Sequence, residues 1–417
     1  MFPFNQVLPL ILFSLIQVFL DPLFWVVVLL VALQYRRMAQ VKHNFFGIPA
    51  GGVWRDTLAA AGYGLLGGLL GSVLMVFIGL TLSGSGLIYL WPVAILLMLI
   101  NARFLCFAYA GGLLALTNLL FGFPELNIAQ VLALVAVLHM VESMLILASG
   151  HLGAVPAYFK TPGGRVVGGF TLQRFWPIPI VALAVMEPAA VQQGVSMPDW
   201  WPLLKPGVSG NPADLVYTLI PVVAGLGYGD LAVSRRPGEK SRLSALSLGV
   251  YSLTLLLLAV LAQYHRPFAL LAALFSPLGH EMVIYLGKRV EFQRSPLFVP
   301  PVRGVGVLDV VPDTPAWRAG IRSGDVVLSL NRWPVNSRAE LEMLLPGAGV
   351  PVEVEFLHGP QQAFHRTVAF PGPAGRPFGL LTVPSGNEEE VMDLSTAGPL
   401  GRWWMELGRR FRGRNSP

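Results

Sequence analysis

The chain has 417 residues, of which 54% are hydrophobic and only 12% charged, with a mean hydropathy of +0.62. A soluble globular chain carries about 25% charged residues, so this composition excludes a wholly soluble protein and indicates a polytopic membrane protein. The formal charge of +6 sits largely in short loops and the tail, without the aromatic-interleaved basic surface that would indicate nucleic acid as a partner. It reads instead as topology signal and lipid attraction.

Residues 4–20 and 23–33 are two short apolar pieces parted by Asp21-Pro22, a helix-start signal, and read as a helical hairpin or a re-entrant pair. Residues 1–20 lack a basic n-region and a small-residue cleavage site, so a cleaved leader is not expected. Further apolar stretches near the ~20 residues that a bilayer requires lie at 57–82, 85–101, 103–121, 128–148, 174–192, 211–228, 243–263 and 267–287. The expected fold class is therefore an α-helical polytopic bundle of about eight firm spans plus the N-terminal pair, occupying residues 1–290.

Basic residues alternate across these crossings. Arg36, Arg37 and Lys42, then Arg103, Lys160, Arg165, Arg174, Arg235, Arg236, Lys240, Arg242, Lys288 and Arg289 fall on one side, against only Lys205 and Arg266 on the other. The positive-inside rule then places everything after residue 290 in the cytoplasm. Gly64, Gly68, Gly67 and Gly71 form two overlapping small-residue pairs suited to close packing, within the chain or between copies. Residues 157–172 hold a Pro-Gly-Gly turn between β-prone runs, a hairpin expected to lie against the membrane or the C-terminal domain. With one cysteine, Cys106, no intrachain disulfide can form.

Two places invite a chemical reading. Gly279-His280-Glu281-Met282-Val283-Ile284 begins like the zinc helix of intramembrane site-2 proteases, but that chemistry needs a second His at i+4, and position 284 is Ile. His139 and Glu142 form an i,i+3 pair inside an apolar stretch. Ionisable groups at such depth cost roughly 2.5–3.5 kcal/mol and face partners. His139, Glu142, His280 and Glu281 could together make a metal site or a proton relay, or serve as interhelical hydrogen bonds that hold the bundle. The last is the preferred reading, so no catalytic residue, metal ligand or cofactor is assigned.

Residues 304–370 have a different texture. Val305, Val307 and Val310 make a β-rich run ended by Pro312-Asp313-Thr314-Pro315. A short helix follows and stops at Gly320, and Ser323-Gly324-Asp325 turns into a strand over 326–330. Ser337 and Glu340 form a capping box opening a helix with Leu341, Leu344 and Leu345. Val352, Val354 and Phe356 then alternate with Glu353 and Glu355. After residue 384 the chain turns polar, and Arg402–Arg414 places Trp403, Leu407 and Phe411 on one helical face among five arginines. That is the composition of an interfacial helix on anionic lipid, or of a frayed basic terminus.

The run Gly304-Val305-Gly306-Val307, Thr314-Pro315-Ala316 to Ala319-Gly320, Gly324-Asp325-Val326-Val327 and the Ser337 helix resembles a bacterial PDZ domain, a small α+β module, over residues 297–384. Arg332 departs from the glycine usual in its Asn-Gly turn; arginine is less favourable at positive φ, so another turn type is open there. The resemblance implies that an extended peptide of a partner protein adds beside the strand Val305–Val310, against the wall of the helix Ser337–Leu345. The implied peptide-binding residues are Arg303, Gly304, Val305, Gly306, Val307, Leu308, Ser337, Leu341 and Leu344. The alternative is a groove filled by the chain itself.

The layout of an apolar bundle with one C-terminal PDZ domain, with Asp21-Pro22-Leu23-Phe24-Trp25 and Pro277-Leu278-Gly279-His280-Glu281, resembles the MinJ-type proteins of Gram-positive bacteria. That implies a non-enzymatic scaffold in the bacterial plasma membrane for placing the division septum. A membrane metalloprotease or its regulator, and a transporter, are the alternatives. Residues 385–417 are expected to be a linker and a lipid-binding tail.

Overall fold

A computed structural model describes residues 1–46, 52–186, 194–208, 215–345, 351–359, 361–370, 378–386, 388 and 391–392. The expected tail helix 403–414 lies outside these. Helices α1 (Phe4–Gln17), α2 (Pro22–Phe46), α3 (Val53–Ile78), α4 (Leu90–Ile100), α5 (Phe107–Phe121) and α6 (Ile128–Ser149) come first. A three-stranded antiparallel sheet follows, made of β1 (Val155–Lys160), β2 (Val166–Met186) and β3 (Val216–Ala232) in that order. Then come α7 (Pro237–Ala262) and α8 (Arg266–Gln293). Five described helices are long and apolar enough to cross a membrane: α2, α3, α6, α7 and α8. α1, α4 and α5 are apolar but shorter.

The stretches 174–192 and 211–228, expected as spans, lie in strands β2 and β3 where they are described, up to Met186 and from Val216, with the two strands paired in register from Phe170↔Ala232 to Met186↔Val216. Hydropathy measures how apolar a segment is and not which backbone it adopts. Pro177 and Pro179, two residues apart, would each remove a helical hydrogen bond, whereas a strand tolerates proline wherever its N–H would point off the ladder.

That is where the prolines stand. At alternate residues from Phe175 to Val185 the outward edge of β2 has no partner strand, yet its amides are accounted for. Phe175 N–H reaches the Tyr35 hydroxyl (3.3 Å), Val181 N–H the Ser72 Oγ (2.8 Å), Leu183 N–H the Leu80 carbonyl (3.3 Å) and Val185 N–H the Ser83 Oγ (3.0 Å). Pro177 and Pro179 have none to satisfy. An open sheet edge is untenable in hydrocarbon unless protein covers it, and α2, α3 and the turn after α3 supply the cover.

Glycine makes this contact possible. A Cβ on Gly64 would stand 2.1 Å from the Pro177 carbonyl oxygen, and one on Gly68 only 1.9 Å from that of Pro179. The next two face α6: Gly67 lies against Leu145 and Gly71 against Val141. The glycine pattern of α3 therefore serves packing within the chain, half against a strand and half against a helix.

The C-terminal unit comprises β4 (Val305–Val310), α9 (Pro315–Arg318), β5 (Val326–Leu330), β6 (Trp333–Pro334), α10 (Arg338–Leu344), β7 (Val352–His358), β8 (Ala363–Ala369) and β9 (Leu380–Thr382). Its sheet runs β8-β7-β5-β4-β9, with β6 paired to β5, over a core that includes Val307, Ile321, Val327, Leu341 and Phe356. Ser337 Oγ accepts the Glu340 amide, while Glu340 Oε2 accepts that of Asn336, one residue earlier than the capping box predicts. Asn331 and Arg332 both keep positive φ (49° and 68°), so arginine does not change the turn away from the hairpin type; its Nε lies 3.6 Å from Glu353.

The hairpin of β1 and β2 joins the two parts. Gly168 N–H donates to the Phe298 carbonyl (3.0 Å), and Phe298, Leu308 and Val383 enter the same apolar cluster as Tyr158 and Phe170. Of the two surfaces expected for this hairpin, it takes the C-terminal unit. β2 has 21 residues; at about 3.3 Å each, a strand of this length spans about 70 Å, enough to run from beside α1 to this junction. At the sheet's base, buried Glu291 of α8 accepts the amides of Val233, Ser234 and Arg235 and pairs with the Arg235 guanidinium at 2.9 Å.

Candidate functional site

β4 is not an edge. It is bracketed by β5 and β9, and Gly304, Val305, Gly306, Val307 and Leu308 are all buried. Their polar groups are engaged: Gly304 N–H meets Asn336 Oδ1, Gly306 O accepts from Val383, and Val307 N–H donates to the Asp325 carbonyl. The expected placement of the peptide beside Val305–Val310 is thereby corrected: β9 already lies there. Arg303 is exposed, Ser337 serves as the cap of α10, Leu341 is in the core at 3% exposure, and Leu344 is half-buried.

Among the described residues the sheet ends at β8 and at β9, and the edge next to β4 is β9. Val383 N–H and the Gly379 carbonyl point inward, bonding to Gly306 and Val311. By strand alternation, Leu380 and Thr382 present their N–H and C=O outward. Phe378 and Leu380 pack against the same core as Leu341, Leu344 and Leu345 of α10. Gly379 sits at φ +91°, with Thr314 Oγ1 only 2.1 Å from where a Cβ would be, so no other residue fits. The sequence signal was Phe378-Gly379-Leu380-Leu381, which reads as a closing strand; among the described residues no strand pairs beyond it.

One side chain from the membrane part reaches this edge. The Tyr158 hydroxyl of β1 donates to the Thr382 carbonyl (3.0 Å) and is hydrogen-bonded to Arg338 at the start of α10. It thus bridges the strand and the helix at the end of the groove away from Gly379. Nearby, Asp309 of β4 is pushed above the usual carboxylate range by burial, with Lys42 of α2 pulling back.

The model for the PDZ domain matches residues 284–361. The C-terminal unit is a PDZ domain. Over 397 residues, 90% of this chain and 95% of the relative, the sequence is 25% identical to "Cell division topological determinant MinJ" of Bacillus subtilis. The resemblance to MinJ-type proteins thus holds along nearly the whole chain, helical part and PDZ domain together. A shorter similarity, 43% over 56 residues (13% of this chain, 14% of the relative), is to "Putative serine protease HhoA" of Synechocystis sp..

Of the four ionisable residues singled out inside the helices, the structure brings His139 and His280 together, at a ring-centroid separation of 5.1 Å. It adds Cys106, which sequence reasoning treated only as an unpaired thiol. Glu281 turns to Arg103 (3.0 Å) and Tyr109 (2.7 Å). Glu142 shares the α6 face of His139 one turn on.

Proposed function

We propose that this protein is a non-catalytic, membrane-anchored adaptor whose PDZ domain captures an extended segment of a partner protein at the outer edge of β9, beside α10. The observation that carries this reading is the outward backbone of β9 at half-buried Leu380, with half-buried Leu344 packed against the same core as an apolar wall. The Thr382 end of that edge is buried and capped by Tyr158. The similarity to MinJ supports partners that belong to division-site placement. Holding a weak groove at a membrane raises the effective concentration for partners on that surface.

The cytoplasmic side remains our reading of the basic loops. Replacing two expected crossings by one hairpin leaves the number of crossings between the 160–174 and 235–242 basic clusters even, so both clusters stay on one side. The segment Trp403–Arg414 is part of the same reading, as a contact with anionic lipid.

The test is a crosslinking pull-down with the intact chain and with Leu344→Asp. Leu344 is chosen over Leu341, whose burial makes a charge there disruptive to the whole domain. Loss of captured partners from a variant that still elutes as folded protein supports the groove. Capture of the same partners by both proteins would refute it.

A further inference from the structure

Cys106, His139 and His280 come from the N-cap of α5, the middle of α6 and the middle of α8. Their ligating atoms lie within 4.8 Å of one another. Cys106 Sγ is 3.1 Å from His139 Nε2 and 3.7 Å from His280 Nε2. On a tetrahedral zinc, with Zn–S near 2.3 Å and Zn–N near 2.0–2.1 Å, a sulfur and a nitrogen stand about 3.5 Å apart. The two observed distances bracket that value.

The hydrogen bonds around the cluster say which atoms carry lone pairs. His139 Nδ1 faces the Val135 carbonyl at 2.7 Å, an acceptor only, so Nδ1 holds the proton and Nε2 is bare. The Tyr109 hydroxyl donates to Glu281 Oε2 (2.7 Å) and is left to accept from His280 Nδ1 at 3.4 Å, so that Nε2 is bare too. Arg103 in turn holds Glu281 at 3.0 Å. Two imidazole lone pairs therefore converge on one thiol, which has one proton to give. One acceptor would be left facing a sulfur that offers nothing, inside a bundle where His139 is 3% exposed. A cation shared by all three removes the conflict.

The surroundings are those a metal site requires. Each histidine has its second nitrogen tied to a carbonyl or to a hydroxyl–carboxylate chain, which orients the ring and strengthens it as a donor. The Ala108 amide, in the first turn of α5, donates to Cys106 Sγ at 3.4 Å and favours the thiolate.

We propose that Cys106, His139 and His280 bind a zinc ion that staples α5, α6 and α8 together. Three protein donors of mixed sulfur and nitrogen suit zinc, with the fourth position left to solvent on the less buried side of Cys106 and His280. The staple is structural: its binding free energy adds to the cohesion of helices that have no hydrophobic force between them in lipid. It is separate from the PDZ groove and stands or falls independently of it.

The experiment uses the full chain purified in detergent, incubated with zinc, freed of loose metal by gel filtration over a weak chelator, and assayed for zinc content. About one zinc per chain is expected, lost from Cys106→Ser, His139→Ala and His280→Ala and retained by His151→Ala and His265→Ala. His280→Cys keeps a donor and should keep the metal, which separates ligand loss from misfolding. Tyr109→Phe should weaken affinity roughly 10–100-fold while leaving all three donors. Cobalt in place of zinc should show a thiolate charge-transfer band that Cys106→Ser abolishes. Folded protein that holds no zinc would overturn the proposal, as would zinc that persists in all three ligand variants.

Discussion

Two glycines on one helix should respond oppositely to the same substitution. In α3, a Cβ on Gly68 would lie 1.9 Å from the Pro179 carbonyl oxygen and 3.0 Å from its carbon, both backbone atoms. Carbon–oxygen contacts of this kind settle near 3.3–3.6 Å, so helix and strand would have to part by roughly 1.4 Å or more. Neither can yield at low cost, because β2 is laddered to β3 over its length and α3 packs on α6 at its other glycines. Overpacking costs typically about 1–3 kcal/mol, and a rigid backbone collision belongs at the upper end. Against this stands the helix preference for Ala over Gly, about 1 kcal/mol. Gly68→Ala should therefore destabilise by about 2 kcal/mol or more, net of that preference. Gly62, on the same helix, has nothing within 4 Å of its Cβ position, so Gly62→Ala should stabilise by about 1 kcal/mol. The gap of about 3 kcal/mol between them is more than a hundredfold in the folding equilibrium. Denaturant titration of the full chain in detergent, followed by tryptophan fluorescence, measures it. A Gly68→Ala midpoint at or above that of Gly62→Ala would refute the strand-on-glycine contact.

Ser72→Ala should cost about 1–3 kcal/mol in the same titration, because the buried Val181 N–H loses its only described acceptor, at 2.8 Å. An unchanged midpoint would show that this edge is covered some other way. Tyr158→Phe frees the Thr382 carbonyl and Arg338, at a net loss of about 1 kcal/mol, and should increase partner capture in the crosslinking pull-down; reduced capture would mean that Tyr158 shapes the groove and does not close its end. Asp309 has its folded-state pKa raised by burial, so the unfolded chain releases this proton first, and stability declines as pH climbs from the ordinary aspartate value through the raised one. Asp309→Asn should thus be more stable than the parent at neutral pH, with the advantage fading below about pH 4. Parallel pH profiles for the two proteins would contradict this.

The PDZ domain was legible in detail because its signals are local: Gly320 at a helix end, Ser337 at a cap, and alternate Val352, Val354 and Phe356 along a strand. The hairpin was not. Residues 174–192 and 211–228 have the length and apolar character of spans, and interior prolines such as Pro177, Pro179 and Pro221 were the signal against helix. That β4 is not an edge was hidden for a related reason. Val305–Val310 has the composition of any half-buried strand, and its neighbour β9 arrives from some 75 residues further along the chain. Cys106 was overlooked as a ligand because its partners are His139 and His280, 33 and 174 residues away.

Composition alone determined that this protein lives in a membrane, and short-range pattern determined that it carries a PDZ domain, since both depend on what a residue is and on its nearest neighbours. Which strand is left unpaired, which glycines meet a carbonyl and which three side chains share a centre depended on the tertiary structure. Those are properties of backbones brought together across long loops, where hydrogen-bond accounting and close packing select one arrangement out of many that the same hydropathy permits.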